Sequence, residues 1–165
     1  MVNSPAPWLH CELVIHADVL RETDAHGIEA YPNESCGMLT GPMSDAPRID
    51  RCVRQVNHAD RYHAADPAAF PRTARTFYVI DPRVAYRSFE QGERDGQPIK
   101  AIYHSHCDVG AYFSEEDRAA AAPDGVLSYP VVFVVTSVRD GAVDDRKVFA
   151  FRSGSWVEVP YRVVE

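Results

Sequence analysis

The chain has 165 residues, 45% of them hydrophobic and 25% charged, with a formal net charge of -7. That length gives one domain with a real core, and that composition excludes disorder over most of the chain. The acidic balance, with Lys100 and Lys147 as the only lysines and the arginines scattered, excludes a duplex-binding surface, which needs clustered cations facing phosphates.

The opening "MVNSPAPWLH" has no basic region ahead of an apolar one, so no secretory signal is expected. Residues 1–10 are taken as an N-terminal extension and 11–165 as one domain, with no repeat or linker to divide it. No apolar run reaches membrane-spanning length, and Cys11, Cys36, Cys52 and Cys107 have no paired CxxC spacing. The expectation is a cytoplasmic protein with reduced thiols and no membrane contact.

"CELVIH" (11–16) alternates as a strand, and "ADVLRETDAHGIEAY" predicts a helix over 17–31. Its expected inner face is Val19, Leu20, Thr23, Ile28 and Ala30, with Gly27 weakening it near its end. After Pro32-Asn33, "SCGMLTG" reads as a short strand closed by Gly41-Pro42, and "RCVRQV" as another. Residues 57–73, "NHADRYHAADPAAFPRT", have no periodicity and read as a long loop of the kind that often binds or covers a site. "RTFYVI" (75–80) is a strand candidate, Asp81-Pro82 a helix start, and "RVAYRSFEQGERDG" an amphipathic helix ending at Gly96. "IKAIYHSH" is a strand and Ser114 to Ala122 a helix, followed by strands at "PVVFVVTSV", "KVFAFR" and "SWVEVP". Two or three helices among about seven strands make a mixed α/β domain with a largely antiparallel sheet.

The chemistry gathers in "HSHCDVGAYFSEED" (104–117). Side chains two apart on a strand point the same way, so His104 and His106 face one point with Ser105 turned aside. Two imidazoles so placed can both reach a zinc ion, and Asp117, in the first turn of the next helix, can swing back to it. Three protein ligands leave a position for water, the arrangement of a catalytic rather than a structural zinc site. Each part has a plainer reading: Ser114-x-x-Asp117 is close to a capping box, and HxH recurs in unrelated metal folds. A cupin would need a further Glu soon after, and an amidohydrolase a far larger barrel.

The combination is more specific. His-Ser-His, seven residues, Ser, two residues, Asp resembles the signature of the JAMM (MPN-plus) metallopeptidases. "YPNESCGMLTG" resembles the element that carries that family's upstream glutamate, here Glu34, and "FYVIDP" and "YPVVFVVTS" look like its usual frame, a likeness running from about Cys11 to Val159. The resemblance implies a single MPN-type domain with a curved sheet and a cytidine-deaminase-like layout. It implies one Zn2+ per chain on His104, His106 and Asp117, Glu34 as general base toward the water at the metal, and Ser114 stabilising the oxyanion. A plain reading of Glu34 alone is a solvated residue at a helix end.

Two positions depart from the family pattern. Cys107 and Phe113 stand where proline is common. Alternation points the Cys107 sulfur away from the metal, whereas a chain already turned there would make it a fourth ligand. Ser105 is a candidate for an orienting hydrogen bond, and Tyr112 and Phe113 either line a groove or pack the loop down. His58, Asp60 and His63 match no ligand spacing and are expected to be solvated or to face substrate. His10, His16 and His26 receive no role.

The resemblance further implies hydrolysis of an amide or isopeptide bond at the C-terminal tail of a ubiquitin-fold protein. The short chain looks most like small prokaryotic members acting on a sulfur-carrier protein or its conjugate, and homo-oligomerisation is left open. The competing reading is a non-catalytic MPN scaffold, which would lack one or more of these residues. A zinc deaminase would need H-x-E together with P-C-x-x-C, and the chain has no P-C-x-x-C to go with its lone His10-Cys11-Glu12.

Overall fold

A computed structural model describes residues 6–165, so the first five residues of the expected N-terminal extension lie outside the description. The elements run β1 (Leu13–His16), α1 (Ala17–Ala30), β2 (Cys36–Thr40), β3 (Arg48–Ile49), β4 (Arg51–Gln55), α2 (Ala59–Ala65), α3 (Pro82–Arg94) and β5 (Ile99–Cys107). They continue with α4 (Glu115–Ala121), β6 (Val132–Arg139), β7 (Ala142–Arg152), β8 (Ser155–Val159) and β9 (Tyr161–Val164).

Six strands form one sheet in the order β4-β2-β5-β6-β7-β8. Every neighbouring pair is antiparallel except β5 and β6, so the expected largely antiparallel sheet is present. Beside it lies a sheet that was not expected, β3-β1-β9, in which both pairings are parallel. No described helix is long and apolar enough to cross a membrane.

Strand β5 explains why the sequence shows no alternation there. From Ile99 to His106 every residue is buried, because both faces of the strand are covered. Ala101 and Tyr103 face a core built with Trp8, Leu13, Ile15, Val19 and Leu20. Ile102 faces a second core with Ala85, Phe113, Ala121 and Phe133. Trp8 is 1% exposed and donates its indole N–H to the Pro130 carbonyl at 2.7 Å, so this residue of the expected extension is packed into the domain.

Several elements differ from expectation for identifiable reasons. The inner face of α1 is Ala17, Val19, Leu20, Thr23 and Gly27, while Ile28 is 44% exposed. Gly27 is there for closeness: a Cβ would meet Val138 Cγ2 at 3.1 Å and Ser105 Cβ at 3.5 Å. The segment 57–73 is not all loop, since it contains α2. Residues 75–80 form no strand. Their backbone groups pair with the start of the preceding segment instead: Val79 O accepts from His58 N at 2.9 Å, and the Asn57 side chain bonds Phe77 O and Val79 N, each at 3.0 Å. The start of α3 is as expected, with Asp81 Oδ1 accepting from Arg83 N at 2.8 Å and Pro82 in the first turn.

Candidate metal centre

His104 and His106 share the face of β5 that carries Ile102, the face that looks toward α4. Their Nε2 atoms lie 3.1 Å apart. Asp117, in the first turn of α4, brings Oδ2 to 3.2 Å from each of them. The helix start fixes that carboxylate. Ser114 Oγ accepts from Asp117 N at 3.0 Å, and Ser114 N donates back to Asp117 Oδ2 at 3.1 Å, a reciprocal capping box. The plainer reading of Ser114-x-x-Asp117 is present, and it is compatible with the sharper one, because the cap aims the acid at the two imidazoles.

The donor set is that of a cation site. Gly110 O lies 3.0 Å from His106 Nδ1, which places the proton on Nδ1 and leaves Nε2 as a lone pair. Two imidazole nitrogens and a carboxylate oxygen therefore converge with too few protons among them to satisfy one another. Their edges of 3.1, 3.2 and 3.2 Å match a face of a tetrahedron with bonds of about 2.0–2.1 Å, whose edge is about 3.3 Å. Zinc fits these residues.

Glu34 stands beside that triangle, just ahead of β2. It is 3% exposed, with Oε1 3.9 Å from His106 Nε2 and Oε2 without a hydrogen-bond partner among the described residues. Glu34, His104 and His106 together make a buried group able to hold a metal ion. Burial first, and the Asp117 charge second, push the Glu34 carboxyl up to about 9, against a smaller pull from Arg72. Burial also works to raise Asp117, but His104 and His106 outweigh it and hold that carboxyl well below the usual range. Burial lowers His104, keeping it a neutral donor despite Asp117.

The surrounding residues resolve most of the alternatives. Ser105 bonds neither histidine: its Oγ accepts from Ser35 N at 2.8 Å and from Ser35 Oγ at 3.0 Å, tying β5 to the residue after Glu34. Cys107 pairs in register with Val138, and alternation continues through it, so its side chain belongs with Ser105 on the α1 face. All four cysteines are free thiols, and burial pushes Cys107 up to about 11. Phe113 is 3% exposed and stacks on Trp156 at 4.6 Å, packing the motif loop onto the body. Tyr112 stays 48% exposed and meets the His106 ring at 4.8 Å.

Of His58, Asp60 and His63, expected to be solvated or substrate-facing, Asp60 is exposed and the two histidines are half-buried. Asp60 Oδ1 accepts from Ala74 N at 2.8 Å and His63 Nδ1 bonds Phe70 O at 2.7 Å, so both hold their own segment together. Three site neighbours escape a reading of the sequence. Tyr78 stacks on His104 at 4.5 Å, Gly110 supplies the carbonyl for His106, and Asn57 bonds the Glu34 carbonyl at 3.0 Å. Only Gly110 carries a local signal, as a glycine in the motif loop with φ of +96°.

Comparison with known proteins agrees with this frame. The chain is 29% identical over 154 residues to the CysO-cysteine peptidase of Mycobacterium bovis and Mycobacterium tuberculosis, covering 93% of this chain and 92% of that one. Its fold is similar to a JAB1/MPN domain protein from Archaeoglobus fulgidus (16% identity, TM-score 0.57, 93% and 98% of the two chains). It is also similar to a structure described as JAMM, a metalloprotease-like zinc site in the proteasome and signalosome (15% identity, TM-score 0.53, 94% and 100% of the two chains). Residues 16–152, most of the chain and all of the site, match the family described as prokaryotic homologs of the JAB domain. This chain is a member of that family, a small prokaryotic JAMM-type protein.

Proposed function

We propose that the protein is a zinc-dependent peptidase that hydrolyses an amide or isopeptide bond at the C-terminal tail of a ubiquitin-fold sulfur-carrier protein or its conjugate. The observation that carries this reading is the triangle of His104 Nε2, His106 Nε2 and Asp117 Oδ2, with edges of 3.1–3.2 Å and the buried Glu34 carboxyl 3.9 Å from its corner. The likeness to a CysO-cysteine peptidase over 93% of the chain supports the substrate class.

His104, His106 and Asp117 would hold the metal. When bound, zinc supplies Lewis acidity, acidifying water and polarising the scissile carbonyl. Glu34 takes the proton of the attacking water on its carboxylate and delivers it to the leaving amine. Its raised carboxyl pKa, brought down by positive charge in the triangle, suits a group that must both accept and give a proton near neutrality. Ser114 caps α4 through a lone pair of Oγ, so its hydroxyl proton remains free to donate to the developing oxyanion. Gly110 keeps the proton of His106 on Nδ1. Tyr78 and Tyr112 shield the imidazoles from bulk water.

The test is Glu34→Gln, assayed by intact mass on Gly-Gly-tailed carrier proteins bearing C-terminal extensions. Turnover should fall by about 10²–10⁴-fold with zinc content unchanged, because a base is removed and no ligand is lost. Full turnover would reject Glu34 as base. A purified protein that binds no zinc and cleaves none of the carriers would establish the scaffold reading instead.

A further inference from the structure

The Glu34 carboxyl makes no hydrogen bond within the described residues: Oε2 has no partner and Oε1 comes no nearer than 3.9 Å to His106. Its position over the triangle therefore depends on what holds its backbone. Glu34 lies outside β2, which begins at Cys36, so no ladder bond does this. Its N–H donates to Ala74 O at 2.7 Å and its C=O accepts from Asn57 Nδ2 at 3.0 Å. On the far side, Ser35 is bonded through its N–H to Ser105 Oγ at 2.8 Å, and its C=O accepts from Ser105 N at 3.1 Å.

Of these grips, the one from Asn57 reaches furthest. Besides Glu34 O, its Nδ2 donates to Phe77 O at 3.0 Å, and its Oδ1 accepts from Ala59 N and Val79 N, each at 3.0 Å. All four partners are backbone groups with fixed roles, two acceptors and two donors, so only one orientation of the carboxamide serves them. An aspartate of the same shape would keep the two bonds to N–H groups and set an oxygen against two carbonyls. The bonds join Glu34 (two residues ahead of β2), the first turn of α2 and the 77–79 segment that brings Tyr78 onto His104.

We infer that Asn57 is the positioning residue of Glu34, its carboxamide locking the Glu34 backbone to the 57–79 segment so that an otherwise unheld carboxyl stays over the triangle. The segment is thus a fixed wall of the site at this point. The inference rests on the reading of Glu34 as general base. Misplacing a reacting group by about 1 Å can cost on the order of 10²-fold in rate.

The experiment compares Asn57→Asp, Asn57→Ala and Glu34→Gln in the zinc-loaded full chain, at a temperature where circular dichroism shows each fully folded. Both Asn57 variants should lose about 10–100-fold in kcat, with KM and zinc content within about twofold of the parent. Amide hydrogen exchange, measured on metal-free protein, supplies a readout independent of turnover. In the parent, the Glu34, Ala59 and Val79 amides should be protected; exchange should speed up by about tenfold or more at all three in Asn57→Ala and at Glu34 in Asn57→Asp, while Val134 in β6 stays protected in both. A kcat within twofold of the parent, alongside an inactive Glu34→Gln, overturns the inference alone. Unprotected Ala59 and Val79 amides in the parent do the same, even if neither variant folds. An unimpaired Glu34→Gln overturns the reading beneath it.

Discussion

Two buried ionisable side chains, one at the start of β5 and one beside its end, are treated in opposite ways. Lys100 is 0% exposed and donates to three backbone carbonyls, Pro42 at 2.9 Å and Asp45 and Arg48 at 2.8 Å, with its ammonium 5.8 Å from the centre of the Trp8 ring. Glu34 is 3% exposed, and its carboxyl has no hydrogen bond among the described residues. Lys100 organises the turn between β2 and β3 by drawing three of its carbonyls onto one ammonium. Glu34 is held only through its backbone, which leaves the carboxyl free to act. A buried ionisable group with every proton in use marks structure, and one denied partners inside a cluster of ligand-type groups is a candidate for chemistry.

The contrast breaks most visibly at the ligands. Asp117→Ala should weaken zinc binding by more than the roughly 10–100-fold that losing a mere outer partner of a ligand costs. Competition with a chromophoric chelator measures this, and an unchanged affinity would mean that another residue holds the third position. Lys100→Met makes the complementary cut. It removes three hydrogen bonds from a charged donor at about 1 kcal/mol or more each, so urea unfolding should show a loss of about 3 kcal/mol or more. Zinc affinity should stay within twofold, since Lys100 touches none of the proposed ligands. If zinc affinity falls with stability, the two ends of β5 are energetically one unit and the distinction fails.

How much of the site is legible in the sequence depends on the range of the interaction concerned. His104 and His106 are legible because period two is local, and Asp117 because a cap and its third residue are local. Glu34 is a lone acid before a short strand, and nothing around it predicts burial; only the family resemblance of "YPNESCGMLTG" points to it. Asn57 and Tyr78 meet the site only after the segment between them folds back, so their neighbours in sequence say nothing of their neighbours in space. The same holds for the second sheet. Its β3 is two residues long, and β9 follows Pro160 to pair in parallel with β1 from the other end of the chain. Gly27 was misjudged in the opposite sense, because helix propensity penalises the glycine that lets α1 approach Val138 and Ser105.

The finest test of the contrast is thermodynamic and needs metal-free protein. Burial and Asp117 raise the Glu34 carboxyl from its ordinary 4.5 to about 9, so between those limits the folded state binds a proton that the unfolded state has released. Stability then falls as pH rises through that window, the reverse of a salt-bridged acid whose folded pKa is depressed. Linkage sets the ceiling of this loss at about 6 kcal/mol, and we expect about 2–3 kcal/mol once local relaxation lets water reach the carboxylate. Glu34→Gln carries no such proton. In urea unfolding without metal it should match the parent near pH 5, exceed it increasingly toward pH 9, and keep that advantage in high salt, because the main cause is burial rather than a screened surface charge. Parallel stability curves for the two proteins across that range would show that Glu34 ionises freely where it stands, and that its burial has no bearing on its chemistry.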